Sequence, residues 1–266
     1  MDPAAIALLQ AILPLVPATA LAMARPAGIA LLLPVFTRAQ LGGPVRAAFA
    51  LALALPGISP AAAVLAEGAG GPGWFILLSA KEAFAGALLG FLFGMPIWAV
   101  QSAGEILDVQ RSATSGSAAE PGTGNQNSTT ADLFAISAIT LFVVTGGLGA
   151  LAECLYASYG PWPLGQVLPE ARGGWPAFLL QLLDRLTRVS LVLAAPLVLA
   201  ALIAEVAVAL LSRAVPKLNA YDLSPTLRNL VFALMLAAYA AFLMAYVERV
   251  LGDARDVLGQ FQALLR

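Results

Sequence analysis

Six long stretches without a charged residue constrain the fold of this chain more than any other feature. They cover residues 3–24, 47–66, 83–104, 133–152, 189–204 and 229–247. Four of them reach 20 residues, about the length a helix needs to cross the hydrocarbon core of a bilayer. The shortest continues as apolar sequence past Glu205 to Leu211. The pattern predicts an all-α fold of the polytopic membrane type, built from helical hairpins.

The composition agrees with this class and excludes several others. Only 11% of the 266 residues are charged, against about 25% in soluble domains. A net charge of −1 provides no basic face for nucleic acid. The chain has no histidine, so histidine-based catalysis and histidine-ligated zinc are excluded. Cys154 has no second cysteine to pair with and is interpreted as a packing residue. The start of the chain lacks a basic segment, so we expect no cleavable signal peptide.

Prolines and glycines mark two of the runs. After Pro3, which begins the first run, four more prolines are spaced along it and its continuation: Pro14, Pro17, Pro26 and Pro34. Each removes an amide donor and clashes with the preceding turn, so we expect a kinked or broken helix. In the third run Gly86, Gly90 and Gly94 recur every four residues, in the row that Glu82 begins. This spacing favours close packing against another helix; the alternative is a glycine-rich membrane helix without a particular partner.

Five charged residues lie inside or beside the runs: Arg25, Lys81, Glu82, Glu153 and Glu205. Charges at this depth indicate function or burial against protein, unless they lie at helix ends and extend to the interface. We expect Glu205 to be buried against a partner. Because neighbouring residues point to different sides of a helix, Lys81 and Glu82 are not expected to neutralise each other.

One long polar segment separates the third and fourth runs. By composition, 18 of the 32 residues in 101–132 are Ser, Thr, Gly, Asn or Gln. We predict an ordered helix end over 104–111 and a flexible polar loop over 112–130. Asp108, Glu120 and Asp132 are too scattered for an acid–base pair. The Gly122-Thr123-Gly124 sequence is not a phosphate-binding loop, because it lacks the following Lys-Ser/Thr and follows no strand-like run.

The end of the chain and the charge distribution differ from an ordinary multi-span protein. Apolar residues recur at helical intervals through the last 20 residues, which predicts an amphipathic helix over about 248–266 that lies on a membrane or docks on a partner. If the six runs alternate across a bilayer, basic residues divide six against seven between the two sides, with Arg25 left uncounted inside the first segment. The usual cytoplasmic bias is missing. Either the spans are miscounted or the chain is not an ordinary multi-span protein.

Three stretches, occurring in a fixed order along the chain, resemble a known family: the SctT export-apparatus subunits of type III secretion systems and the related flagellar FliR. The resemblance covers nearly the whole chain, treated as one domain over residues 1–266. Its details favour the injectisome branch, although Ser112-Ala113 stands where that branch has Gly-Ala. It rests on residues 25–46; on 104–111 with Gly146-Gly147 and the Tyr156-x-Ser158-Tyr159-x-x-Trp162-Pro163 sequence; and on Arg213-x-x-Pro216-x-Leu218-Asn219 with Leu223-Ser224.

The resemblance implies a structural subunit of an export gate in the bacterial inner membrane, within the secretion system's basal body. SctR- and SctS-like subunits would join it in a helical cone that forms the entrance pore, a SctU-like subunit would wrap the gate, and unfolded secreted proteins would pass through. It also implies contact with membrane lipid, no cofactor and no enzymatic activity. Assembly roles are predicted for Arg25, Glu82, Gly86, Gly90, Gly94, Glu205, Arg213, Pro216 and Asn219, and pore or loop roles for Glu105, Asp108, Gln110, Arg111, Ser115 and Asn125.

Two other functions remain open from the sequence. A small-solute secondary transporter would use discontinuous helices and polar residues at the bilayer midplane, but the sequence has no clear internal repeat and no cluster of intramembrane acids. An intramembrane enzyme would need a nucleophile–base pair, and the sequence offers no convincing one.

Overall fold

The computed structural model describes residues 13–38, 41–67, 71–112, 128–168, 175–214, 220–253 and 257–265. Every regular element in these ranges is a helix, and none of the described residues forms a strand. The helices are α1 (Leu15–Leu32), α2 (Pro34–Thr37), α3 (Gly43–Ala54), a 3-10 turn (Leu55–Gly57), α4 (Ile58–Glu67), α5 (Pro72–Ser112), α6 (Thr129–Val144), α7 (Gly147–Ala157), α8 (Trp175–Ala214), α9 (Ala220–Asp253) and α10 (Val257–Leu265).

Among the residues that the structure describes, five helical segments are long and apolar enough to cross a membrane. They are Leu15–Leu32, Gly43–Glu67, Pro72–Gln110, Pro176–Ala214 and Thr226–Gly252. The consecutive helices α6 and α7 provide a sixth if the broken pair counts as one span. These segments correspond one to one with the six uncharged runs, so the predicted all-α fold of polytopic membrane type is confirmed.

Two helices are much longer than a bilayer is thick. Helix α5 has 41 residues and α8 has 40. At 1.5 Å per residue each is about 60 Å long, twice the hydrocarbon thickness of roughly 30 Å. Pro96 lies inside α5 and Pro196 inside α8, and neither ends its helix. A large part of each helix therefore extends beyond the length that lipid alone would cover.

The predicted break in the first hydrophobic segment occurs at Leu33. Helix α1 contains Pro26 without ending there, and it stops at Leu32. Leu33 is extended, with ψ at 123°, and Pro34 begins α2. A proline ring disfavours the helical conformation of the residue before it. The chain therefore bends at Pro34, where the residue before the proline has left the helix.

The chain groups into two compact units. The first comprises Met1–Met95, Gly146–Leu180 and Asp253–Arg266, and the second comprises Pro96–Thr145 and Gln181–Gly252. The first unit has an apolar core of small and branched side chains: Ala18, Leu21, Ala22, Ala54, Ala61, Leu78 and Leu164. In the second unit the buried Ser190 of α8 donates a hydrogen bond of 2.9 Å to the carbonyl of Ala99 in α5. The prediction of a single domain stays a prediction.

The predicted C-terminal helix divides between two elements. Residues 248–253 belong to α9, which continues out of the last apolar run as expected. The separate helix α10 follows at Val257. Its buried residues Val257 and Phe261 lie four positions apart on one face. That face packs into the chain, and α10 lies against α7 within the first unit.

Candidate functional site: a buried ion cluster and a capped loop base

A buried salt bridge joins α1 to α5. The Arg25 guanidinium donates from Nε to Glu82 Oε2 at 2.7 Å and from Nη2 to Glu82 Oε1 at 3.1 Å. Both side chains are completely buried. Such a two-bond contact fixes the orientation of both groups as well as joining their charges. It connects residues 57 positions apart in the sequence.

Residues of the turn that follows α7 accept further hydrogen bonds from the Arg25 guanidinium. Arg25 Nη1 donates to Ser158 Oγ at 2.8 Å, and Nη2 also donates to the carbonyl of Trp162 at 2.9 Å. The ring of Tyr159 lies under the guanidinium, with its centre 4.0 Å from Cζ. An arginine over an aromatic face gains a cation–π attraction that strengthens out of water. Arg25 therefore holds the turn against both helices.

Lys81 is part of the same cluster. Its Nζ contacts the Glu82 carboxylate and donates to the carbonyls of Pro163 and Leu164 at 3.0 and 3.1 Å. The expectation that Lys81 and Glu82 cannot neutralise each other is therefore wrong. Although their Cβ atoms diverge, the flexible four-carbon stem of lysine lets its ammonium group reach back to the neighbouring carboxylate.

Two cations and one carboxylate make the cluster electropositive. Three backbone carbonyls, from Trp162, Pro163 and Leu164, supply the remaining negative partial charge. Burial raises the pKa of Tyr159 to about 12, with Arg25 acting in the opposite direction. Buried charges are tolerated only when they are paired and hydrogen-bonded. The cluster can therefore act as a rigid junction between α1, α5 and the turn.

Glycines allow the two helices to approach closely enough for this junction. A Cβ at Gly86 would lie 1.9 Å from the carbonyl oxygen of Arg25, and one at Gly90 would lie 2.7 Å from that of Ile29. From the other side, a Cβ at Gly28 would lie 2.2 Å from the carbonyl oxygen of Ala83. Close packing of another helix on the glycine face is thus confirmed at Gly86 and Gly90, and that helix is α1 of the same chain.

A second arrangement lies at the base of the polar loop, in the other unit. Asp108, near the end of α5, accepts hydrogen bonds from the Ser128 hydroxyl at 2.6 Å and from the Thr130 amide at 2.8 Å and hydroxyl at 2.5 Å. A Cβ at Gly104 would lie 2.5 Å from Ala131 Cα, so α5 and α6 touch there. The carboxylate thereby caps the N-terminus of α6, where free amides and the helix dipole favour a negative charge.

This cap shortens the predicted loop. Helix α5 continues to Ser112 and α6 begins at Thr129, so residues 112, 129 and 130 are helical and not loop. The predicted helix end over 104–111 is confirmed. Residues 113–127, with Ser115 and Asn125, lie outside the described residues.

The other predicted site residues are separated from these two arrangements. Glu105 is exposed and accepts a bond of 2.8 Å from Gln101, Gln110 is exposed, and Arg111 is helical. Glu205 and Arg213 are exposed and Gly94 is buried. Pro216 and Asn219 lie outside the described residues. The assembly and pore roles assigned to these residues stay predictions.

Sequence reasoning missed the turn residues as partners of Arg25. Ser158 and Trp162 lie more than 130 positions from it. A signal existed in the composition of the turn, where glycine and two prolines interrupt regular hydrogen bonding around Trp162. Such a segment leaves backbone carbonyls free, and a buried arginine needs acceptors.

Long apolar helices, a proline break and a buried ion junction define a helical, polytopic membrane protein. The pattern of the family described as bacterial export proteins, family 1, matches residues 16–254. The chain therefore belongs to this family of SctT- and FliR-type export-apparatus proteins.

Individual relatives agree with this assignment. Yop proteins translocation protein T of Yersinia pestis is 34% identical over 176 residues, which is 66% of this chain and 67% of that protein. Surface presentation of antigens protein SpaR of Salmonella typhimurium is 34% identical over 229 residues, 85% of this chain and 83% of that protein. Flagellar biosynthetic protein FliR of Bacillus subtilis is 23% identical over 192 residues, 72% and 74% of the two chains.

Proposed function

We propose that the chain is a non-enzymatic structural subunit of the type III protein-export gate in the bacterial inner membrane, within the basal body. It forms the entrance pore with SctR- and SctS-like subunits, and a SctU-like subunit contacts the gate. Unfolded secreted proteins pass through the pore. The family match over residues 16–254 is the observation that carries this proposal, and the relatives named for translocation and secretion support it.

The apolar surface of the chain supports an assembly. We compare the share of residues buried inside the chain in the most apolar stretch of each helix. It is 67% for α5, 33% for α8 and 17% for α9. Exposed apolar surface on this scale indicates a protein interface or lipid. Because α8 is about twice as long as a bilayer is thick, lipid alone does not cover it. Sister subunits would cover the rest.

The ion junction has a role in this proposal as the rigid part of the subunit. It ties the turn after α7 to α1 and α5 through contacts that lie wholly inside the chain. A gate that opens by moving some segments needs others that do not move. We assign the junction to the fixed part.

The polar loop has the complementary role of lining or closing the pore. Its side chains are mostly small and uncharged, with Glu120 as the one acid, and would not bind a passing polypeptide strongly. The Asp108 cap holds the two ends of the loop together. Deleting residues 115–127 leaves that cap in place. We expect the deletion variant to assemble normally and to change ion leakage or secretion. Failure to assemble would make the loop a scaffold and contradict its role as a plug.

Cross-linking to a substrate in transit tests the proposed function. A secreted protein fused to a domain that resists unfolding would stall in the gate of living cells. A photoreactive residue placed at position 110 should then cross-link to the stalled polypeptide, whereas one at the exposed Asp184 on α8 serves as the control. Normal secretion by a strain that lacks the chain would contradict the proposal.

A further inference from the structure

The last turns of α5 differ in chemistry from the long stretch before them. Residues 83–100 include no charged side chain. Half of the residues in 101–110 carry polar side chains: Gln101, Ser102, Glu105, Asp108 and Gln110. Glu105 and Gln110 are exposed. Because exposed charged and amide side chains are unfavourable in hydrocarbon, this end of α5 has the polarity of a surface in contact with water.

A buried amide holds the exposed acid of this stretch. The Nε2 atom of Gln101 donates a hydrogen bond of 2.8 Å to Glu105 Oε1, four positions later on the helix. Gln101 is only 8% exposed, so the surrounding packing fixes its orientation. The Glu105 carboxylate accepts no other hydrogen bond from the described part of the chain. It is therefore held in place and can still accept bonds from an incoming donor.

This arrangement lowers the stability of the folded chain. Gln101 Oε1 is buried and has no hydrogen-bond partner among the described residues. A buried carbonyl oxygen without a donor costs free energy, and a leucine of similar volume would avoid that cost. Local choices that oppose stability are expected at functional sites. The bond that Gln101 donates to Glu105 therefore explains this residue better than packing does.

Glu105 lies close to both flanks of the polar segment 113–127. It precedes that segment by about two helical turns. Asp108, nearly one turn further along α5, accepts hydrogen bonds from Ser128 and Thr130 on the other flank. The proposed function assigns this segment to the pore. A polypeptide that passes the segment would then also pass the Glu105 carboxylate.

We propose that Glu105 contacts the lysine and arginine side chains of unfolded polypeptides in transit, and that Gln101 is the positioning residue that holds its carboxylate for this contact. The inference rests on the proposed function, because it takes the passing polypeptide as the ligand. A single exposed carboxylate binds a cationic side chain only weakly, and transport requires contacts that release what they bind. The contact recognises charge and not sequence.

Carbodiimide coupling to a stalled substrate tests the contact directly, because this reagent joins a carboxylate to a lysine amine when the two touch. A secreted protein fused to a domain that resists unfolding is stalled in the assembled gate, with lysines spread along its unfolded segment. Mass spectrometry of the coupled peptides should show Glu105 joined to lysines of the substrate. A matched substrate with glutamine in place of those lysines should give no such peptide.

Variants separate positioning by Gln101 from a structural role. Gln101→Leu removes the hydrogen bond to Glu105 together with the buried carbonyl. Per assembled complex we expect about threefold less coupling, with a melting temperature that is unchanged or higher. Glu105→Gln should abolish the coupled peptide, and Asp184→Asn, at an exposed acid on α8, should leave its yield unchanged. Undiminished coupling in Gln101→Leu would overturn the positioning role, whatever its melting temperature.

The possible failures are distinguishable. If a photoreactive residue at position 110 cross-links to the stalled polypeptide but Glu105 couples to none of its lysines, the inference is overturned and the proposed function stands. Coupling of Glu105 only to a lysine of this chain or of another subunit overturns it in the same way. If the stalled polypeptide is joined to neither position, the proposed function fails and the inference fails with it.

Discussion

Neutralising Glu82 is the sharpest perturbation of the ion junction. The substitution Glu82→Gln keeps the shape of the side chain and one carbonyl acceptor. Among the residues that the structure describes, it removes the only carboxylate that contacts Arg25 and Lys81. Both cations would then remain in the protein interior beside neutral partners. Since Glu82 is completely buried, water cannot reach the two cations to solvate them unless the junction opens.

The expected loss of stability follows from the burial of the pair. Removing one partner of a buried ion pair costs about 3–5 kcal/mol. The amide retains part of the hydrogen bonding, so we expect about 3 kcal/mol for Glu82→Gln and a value nearer 5 kcal/mol for Glu82→Ala. In a chain of this size 1 kcal/mol shifts the melting temperature by about 2–4 °C. Glu82→Gln should therefore lower it by roughly 6–12 °C.

Circular dichroism of the purified chain in mild detergent measures this shift through the loss of helix on heating. The control is Asp184→Asn, which removes a surface pair whose side chains are more than 70% exposed. Exposed pairs contribute at most about 0.5 kcal/mol between positions four apart on a helix. The control should melt within about 2 °C of the unaltered chain. An equally small shift for Glu82→Gln would refute the assignment of the cluster as a rigid junction.

Three further predictions concern single positions. Gly86→Ala should lower the melting temperature by several degrees because its Cβ would lie 1.9 Å from a carbonyl oxygen of α1, whereas Gly73→Ala on the same helix, with nothing within 4 Å, should not. Asp108→Ala should cost about 1–2 kcal/mol as a lost helix cap, measured by chemical unfolding, and Asp108→Asn less. Because the pKa of Tyr159 is raised to about 12, its contribution to stability is complete below pH 10 and is lost as the pH rises through 12. Over that interval the melting temperature of the unaltered chain should fall more steeply than that of Tyr159→Phe.

Features that depend on local sequence could be predicted correctly. Runs without charge predicted the spanning helices, because helix length and apolarity are properties of one segment. Prolines predicted a kinked or broken first segment. Sequence alone did not show that the break would fall at Leu33 or that Pro26 would stay inside α1. Glycine spacing predicted a close helix contact, but not that the contacting helix is α1 of the same chain.

Features that join distant segments could not be predicted. Arg25 and Glu82 were both identified as costly charges, yet nothing in either segment shows that they meet. The contact between Lys81 and Glu82 was not predicted. The rule that neighbouring residues on a helix point to different sides considers only Cβ directions and ignores the reach of a long side chain. From the sequence, Asp108 is excluded only from an acid–base pair, and nothing in its segment shows that it caps a helix that begins 21 positions later at Thr129. The partners of Arg25 and Asp108 lie on elements that only the tertiary fold brings near.

Native mass spectrometry of the co-expressed proteins tests the central claim most directly. The tagged chain is purified in detergent together with the SctR-like and SctS-like subunits of the same bacterium, and the intact particles are weighed. A gate subunit predicts one defined particle that contains this chain with copies of both other proteins. A monodisperse chain without either subunit, especially one that transports a small solute in lipid vesicles, would contradict the claim.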